Sequence, residues 1–351
     1  MPVTTLKPED RITAIDQIRG YAIFGMLLVN ASGFFHLKQL TEQLSHHRNV
    51  FTYADTIAPL FVFVVGMGMR LSWLKRAEKA GHSETRWAMA KRFGLLVLIA
   101  FALYAGWLWD ALMDIGLAGL LALFLIDKKP AVRAAFAFIY LGIYQAFVHF
   151  TAYGPWIMRA EGHRSIGGES TPLWVQLIPQ HGELFGVALN GGPLGPLSWC
   201  MMLLFGSIAY DLLRTGDEKK FMGAWAGLGV GLCALGYLLS VEWPGVKQEW
   251  AISAYYMTAP FPLWSTGLCF LTLLAFYLIC DKIGFKIPTF AALGMNPLFL
   301  YIVQALALDV MGNFKPESLS LPVGLAGFCV FYAAIALLAW WLQRKSIYIK
   351  I

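Results

Sequence analysis

Polar and apolar positions along this chain change over on the scale of whole helices rather than of single turns. Apolar runs of roughly 17–23 residues recur, parted by short segments rich in charge, Gly and Pro. At a rise of about 1.5 Å per residue such a run crosses the ~30 Å hydrocarbon core of a bilayer. The pattern predicts about ten spanning helices, near 13–31, 56–73, 91–109, 115–127, 132–150, 196–213, 221–240, 258–280, 288–310 and 322–343. Turn signals stand between them: DKKP at 127–130, RTGDEKK at 214–220, EWPG at 242–245, DKIGFK at 281–286 and GNFKPES at 312–318. Lipid offers backbone groups no water to bond, and the runs are about twice the length of a barrel strand, so helices are expected rather than strands. The fold class read from this pattern is an all-α polytopic membrane protein, a single membrane domain over residues 1–351.

Charge orients the bundle. Most of the 27 basic residues fall in alternate inter-span segments. The loop 70–92 carries Arg70, Lys75, Arg76, Lys79, Arg86, Lys91 and Arg92, and Arg344, Lys345 and Lys350 at the other end of the chain fall on the same side. The bias of Lys and Arg toward the cytoplasm then predicts an N-in/C-in topology. Segment 151–195, with Glu161, His163, Arg164, His181 and Glu183 among Gly and Pro, becomes the longest extracytoplasmic loop. Long loops of this kind are often lids or binding loops. The first 13 residues are polar and no small-residue cleavage pattern follows the first run, so that run is expected to stay as a helix.

Composition narrows the class further. The chain is 58% hydrophobic and 14% charged, against roughly a quarter charged in soluble domains, and its mean hydropathy is +0.60. The net charge of +6 sits beside the spans and does not point to nucleic acid. The five cysteines lie in apolar runs without metal-ligand spacing, so they read as small packing residues and no metal is expected. No Walker loop, dinucleotide fingerprint, HExxH or GxSxG occurs, which leaves nucleotide-driven pumping and the common hydrolases unsupported. Tryptophans near span ends, among them Trp107, Trp109, Trp199, Trp243 and Trp250, read as interfacial anchors or as the walls of a sugar site.

The polar residues within and beside the apolar runs are the candidates for chemistry, because charge next to hydrocarbon needs a partner, an interface or a task. Asp16 and Arg19 are three apart on one helical face, so they can pair. With Arg11 they also stand where an anionic group could approach from the cytoplasm. Asn30 closes the first span, a position typical of a cap. His46 and His47 follow in the loop, and imidazole is suited to take a proton near neutral pH. Asp55 opens the second span, where a carboxylate caps the helix or orients a histidine. Asp110 and Asp114, four apart, can bind an amine or a cation, and Asn296 and Gln304 read as interhelical hydrogen-bonders.

The string Arg11-x4-Asp16-x2-Arg19-Gly20, running on to LLVN at Asn30, then a histidine, then Ala54-Asp55-x3-Pro59-LFVFVVG, resembles the catalytic membrane domain of the heparan-alpha-glucosaminide N-acetyltransferase family and its bacterial relatives. The resemblance continues through DALMDIGLAGLLALFLI into LWSTGLCFLTLLAFYLICDKIG and LGMNPLFLYI, and loop 151–195 matches poorly. A luminal domain precedes this region in the animal enzyme and has no counterpart in these residues.

The resemblance implies transfer of an acetyl group from cytoplasmic acetyl-CoA to an amino sugar or glycan across the membrane. It places Asn30 beside the catalytic histidine. The family pattern sets that histidine ten residues before the aspartate, where Ser45 stands here. A one-residue deletion assigns the role to His46, with His47 as the alternative, and Asp55 as the aspartate. A later family histidine, after GMN, corresponds to Gln304. Arg19, Asp16, Arg70, Lys91 and Arg92 are the candidates for the donor end, since CoA phosphates favour Arg and Lys. The expected partners are acyl-CoA, a sugar or glycan acceptor and the lipid bilayer of a bacterial inner membrane, with a homodimer left open. A secondary transporter of a sugar or small amphiphile is the competing reading, and no internal repeat of the transporter kind is visible. A non-catalytic member that binds a glycan or lipid is the third.

Overall fold

The structure is a computed structural model, and it describes residues 12–47, 50–103, 109–159, 190–241, 250–314, 316 and 318–349. Arg11, Trp107, Trp243, Lys350 and the loop residues Glu161, His163, Arg164, His181 and Glu183 lie outside the described residues.

Among the described residues the regular structure is helical. The helices in chain order are α1 (Thr13–Ser32), α2 (Ala54–Leu103), α3 (Ala111–Leu123), α4 (Pro130–Phe150), α5 (Tyr153–Arg159), α6 (Gly195–Leu213), α7 (Glu218–Ser240), α8 (Pro260–Tyr277), α9 (Pro288–Leu293), α10 (Pro297–Gly312) and α11 (Leu321–Arg344). Six helices there are long and apolar enough to cross a membrane: the one over 54–102, Pro130–Phe150, Gly192–Leu213, Glu218–Ser240, Pro260–Lys282 and Leu321–Arg344. α3 and α10 are shorter apolar helices. The chain is a polytopic α-helical membrane protein.

Two departures from the sequence expectation have local causes. The stretch 70–92 is helical, not a loop. Its Arg, Lys, Ala, Glu and Leu residues are strong helix formers, and the helical dihedrals fail only at Gly81 (φ 81°, ψ 168°), a conformation open to glycine. The Arg86 guanidinium lies 5.4 Å from the Trp73 ring centre. Thirteen residues of straight helix would separate these positions by about 20 Å, so the chain doubles back at Gly81. The predicted span 288–310 is likewise broken. α9 ends at Leu293, Gly294–Asn296 turn, and Pro297 opens α10 at the first helical position where its missing N–H is harmless.

The chain falls into two compact units. The first comprises residues 1–45 and 271–350 and the second residues 46–270, so α8 begins in the second and ends in the first. In the first unit α1 packs on α9 through glycines. A Cβ on Gly20 would collide with the backbone of Phe290, and one on Gly294 would press on the Asp16 carbonyl. Ile12, which precedes α1, offers no side-chain cap. Asp281, in the π-helical turn Leu278–Lys282 that ends α8, supplies it: Thr13 N–H donates to Oδ1 at 2.8 Å and Ala14 N–H to Oδ2 at 2.9 Å.

In the second unit α2 packs against α3 and α6, and α4 against α6. Gly66 of α2 faces the Leu203 carbonyl of α6, while Gly206 of α6 faces the Phe63 carbonyl of α2. This reciprocal approach of backbones is what small residues permit between membrane helices. At one end of these helices Asp211 binds two guanidiniums. Arg70 Nε donates to Oδ1 at 2.8 Å, and Arg133 Nη2 donates to Oδ2. Arg133 is fully buried and also donates to Ser207 Oγ at 2.5 Å and the Lys128 carbonyl at 3.2 Å.

Candidate functional site

Asp55 stands in the first turn of α2, and its two oxygens are divided between two tasks. Thr52 N–H and Thr52 Oγ–H donate to Oδ2 at 2.9 and 3.2 Å. This is the backward arm of a capping box, which fixes the start of the helix and the rotamer of the carboxylate together. Oδ1 lies 2.6 Å from His46 Nδ1. Asp55 is buried at 2% exposure, whereas the His46 side chain keeps 44% of its surface open. With Nδ1–H donating to the carboxylate, the lone pair of the ring resides on Nε2, the atom turned away from Asp55.

His47, the next residue, is half-buried. Among the described contacts it is His46 that pairs with Asp55. The loop that carries these residues is pinned one step on: the Phe51 ring packs 6.0 Å from Phe261 and 6.2 Å from Trp264, at the start of α8.

Asn30 belongs to the first unit and is exposed on α1. It is not the cap of that helix, as the sequence reading had it, because α1 continues through Ser32. The Ser32 hydroxyl bonds the Val29 carbonyl at 2.6 Å and the Leu44 carbonyl at 3.2 Å, which holds the helix end and the following loop together.

The residues proposed for the donor end sit in different settings. Asp16 and Arg19 form the expected i,i+3 pair at 3.7 Å, and Arg19 Nη1 reaches the Gly294 carbonyl at 3.4 Å. Arg70 is engaged by Asp211 and by the Ile126 carbonyl at 2.6 Å, so it ties α2 to α6 and to the turn after α3. Lys91 and Arg92 are exposed on the second piece of α2, with the Lys91 ammonium 5.2 Å from the Trp87 ring centre. Arg133 and Asp281, which sequence reasoning passed over, turn out to be the buried charge and the capping carboxylate of the two units. The positions of both beside Pro or Lys at span edges gave no sign of a partner some 80 to 270 residues away.

Asp110 precedes α3 and Asp114 lies in its first turn, fully buried. Among the described residues neither Asp114 oxygen has a hydrogen-bond partner in ideal geometry, and the Asn190 amide stands beside it. Tyr153 closes the same corner. Its hydroxyl donates to the Gly191 carbonyl at 2.5 Å and accepts from Leu194 N–H at 3.0 Å. Burial pushes the Tyr153 phenol well above its ordinary value, and Leu194 N–H opposes this, so it stays a donor. Gln304 is fully buried on α10 in the first unit, and Asn296 binds the chain's own tail rather than another helix. Among the described residues no three metal-binding side chains converge.

A His–carboxylate pair at the head of an apolar helix, with one ring nitrogen open, can act as a general base or as a nucleophile. The model of the family described as heparan-alpha-glucosaminide N-acetyltransferase, catalytic, matches residues 11–227. The match takes in Asp16, Arg19, Asn30, His46, His47, Asp55, Arg70, Lys91 and Arg92, and ends before the LWSTGLCFLTLLAFYLICDKIG and LGMNPLFLYI stretches. No curated protein matches the chain. Because the matched stretch covers more than half of the 351 residues and encloses the His46–Asp55 pair, the chain belongs to the heparan-alpha-glucosaminide N-acetyltransferase catalytic-domain family.

Proposed function

We propose that the protein is a transmembrane acetyltransferase in which His46, oriented by Asp55, activates an amino sugar or other glycan on the extracytoplasmic side for acetylation by acetyl-CoA. The observation that carries the reading is the 2.6 Å His46–Asp55 contact, which puts the ring's lone pair on Nε2 of a side chain 44% exposed. In the direct route Nε2 takes the proton of the acceptor amine or hydroxyl as that atom bonds to the thioester carbonyl carbon. The C–S bond then breaks and CoA leaves as the thiolate, which regains a proton. In the acyl-enzyme route Nε2 itself bonds to the carbonyl carbon, the C–S bond breaks and CoA leaves as the thiolate. The acceptor atom then bonds to that carbon as the bond to the imidazole breaks, and the acceptor's proton passes to the released Nε2 and on to solvent. Asp55 serves both routes by stabilising the imidazolium that forms.

The reading includes ten spans in an N-in/C-in arrangement, in the inner membrane of a bacterium. The fold-back of α2 at Gly81 supports counting two crossings in that helix, and the exposed Lys91 and Arg92 then lie on the cytoplasmic side, where CoA phosphates would approach. Arg70, held by Asp211, acts in this reading as a structural clamp.

The test is reconstitution with radiolabelled acetyl-CoA and a panel of amino sugars and glycans. Transfer should fall by about 10²–10⁴-fold in His46→Ala and persist in His47→Ala, with both variants folded. No CoA binding by calorimetry, together with counterflow of sugar in liposomes, would replace this reading with a transporter. An engineered cysteine at position 47 should be labelled from outside only; labelling from the cytoplasm would overturn the orientation.

A further inference from the structure

The donor that fixes the Asp55 carboxylate is main chain. Thr52 N–H holds Oδ2 at 2.9 Å, and Thr52 itself is buried. This N–H belongs to the planar peptide unit that joins Phe51 to Thr52, so the Phe51 Cα and the N–H move as one rigid group. Whatever seats Phe51 therefore places the donor, and through Asp55 it places the His46 ring.

Phe51 is seated on the head of α8. Its ring centre lies 6.0 Å from that of Phe261 and 6.2 Å from that of Trp264, the latter edge-on at 81°. Both separations fall in the roughly 4.5–7 Å range of favourable aromatic pairs. Val50 beside it is 59% exposed, so among the described residues of this stretch the apolar contact with α8 falls to Phe51. The seat itself is held from several sides. Ala259 N–H donates to Gln145 Oε1 of α4 at 2.8 Å, and Ser198 Oγ–H of α6 donates to the Met257 carbonyl at 2.9 Å. Gly236 of α7 stands so close that a Cβ there would meet the Pro260 carbonyl at 2.8 Å. Helices α4, α6 and α7 thus fix the start of α8, and Phe51 carries that fixed point into the turn that begins α2.

We propose that Phe51 is a positioning residue of the acetyl-transfer site. Seated on Phe261 and Trp264, it sets the Thr52 N–H that aims Asp55, and Asp55 orients the His46 ring. It acts through these groups and not on substrate. A displacement of about 1 Å at a reacting group costs on the order of 10²-fold in rate, so Phe51 matters to turnover rather than to substrate binding. The inference rests on the acetyltransferase reading for its effect on rate, whereas the His46 hydrogen bond is observable without turnover.

Two readouts separate the inference from the reading beneath it. In vesicles, with acetyl-CoA as donor and glucosamine as acceptor, Phe51→Ala should lower kcat about 10–100-fold and leave KM for acetyl-CoA unchanged. Trp264→Ala, which withdraws the seat from outside the loop, should act in the same way. The double variant should lose little more than either single one, because the two changes break one contact. Independently of turnover, the His46 Nδ1–H proton resonance in protein with isotope-labelled histidine, assigned by its absence in His46→Ala, should move upfield in both single variants. If Phe51→Ala does not fold, Trp264→Ala decides by the same resonance. Wild-type kcat and an unmoved resonance in the folded variants would overturn the inference. A lowered thermal midpoint with the resonance unmoved would reduce Phe51 to packing and overturn it too, as would kcat losses that multiply in the double variant. A resonance that moves in the variants, in a protein whose wild type acetylates no acceptor, would uphold the positioning and overturn the acetyltransferase.

Discussion

His46 Nδ1 and Asp55 Oδ1 lie 2.6 Å apart, and the other oxygen of Asp55 is held by Thr52. The carboxylate that meets the imidazole is thus the one that starts α2, so the orientation of the His46 ring is tied to the helix itself. The two partners stand nine positions apart in the chain.

Asp55→Asn tests this division. An asparagine can still accept from Nδ1–H through its carbonyl, but its amide then faces Thr52 N–H as a second donor. Transfer of labelled acetyl should drop by about 10²–10³-fold, because the imidazolium loses its counter-charge. The same change should lower stability by about 1–2 kcal/mol through the lost helix-start contacts. Thr52→Val removes only the hydroxyl arm and should keep most activity. An Asp55→Asn enzyme with wild-type turnover would remove Asp55 from the chemistry.

Asp211 is predicted to be the most sensitive charge in the second unit. It faces both Arg70 and the fully buried Arg133. In Asp211→Asn two like charges stay in a low-dielectric setting without their counter-ion, a loss of about 3–5 kcal/mol. Thermal unfolding in detergent should show a large drop in midpoint. The double variant Arg133→Met, Asp211→Leu should recover part of it, since replacing a buried pair as a unit is far less costly than breaking it. An unchanged midpoint in Asp211→Asn would mean that the cluster is solvated.

Glycines in these helices should divide into two classes. A Cβ at Gly206 meets the Phe63 carbonyl, whereas a Cβ at Gly227 on the exposed face of α7 meets nothing within 4 Å. Gly206→Ala must push α6 off α2 and should cost about 1–3 kcal/mol. Gly227→Ala should be neutral or stabilising by up to about 1 kcal/mol, from helix propensity alone. Equal midpoints for the two variants in the same unfolding assay would rule out the close contact of α2 with α6.

The apolar runs announced the helices because a membrane helix satisfies its backbone within itself, and length plus hydropathy then suffice. What escaped was decided by partners distant in sequence. Residues 70–92 looked like a loop because charge was read as solvent, yet Arg, Lys and Glu extend a helix past a membrane surface and only Gly81 breaks it. Asp281 looked like part of a turn, and its role as the cap of α1 depends on a contact across 268 residues. Asn30 looked like a cap because the apolar run ends there, but Ala31 and Ser32 continue the helix. Within the candidate site, the residue types of His46 and Asp55 were legible. Which histidine meets the carboxylate was not, because the sequence between the two apolar runs carries no periodicity from which to read a direction.

Asn296 supplies the last test, because its amide does the work of a neighbouring strand. Its Oδ1 accepts from Ile349 N–H at 2.7 Å and its Nδ2 donates to the Ile347 carbonyl at 3.0 Å, with the side chain 1% exposed. Asn296 was expected to bond a neighbouring helix, but the break between α9 and α10 leaves it facing the extended segment after α11 instead. In Asn296→Ala both backbone groups of the tail lose their partner, and the bond energies involved are about 1 kcal/mol each. Amide exchange at Ile349 should accelerate about tenfold, and trypsin should cut after Lys345 sooner. Asn296→Asp keeps Oδ1 and loses the Nδ2 donor, so it should still protect Ile349 N–H while leaving the Ile347 carbonyl unbound. Equal exchange at Ile349 in wild type and Asn296→Ala would show that the tail is held by other contacts.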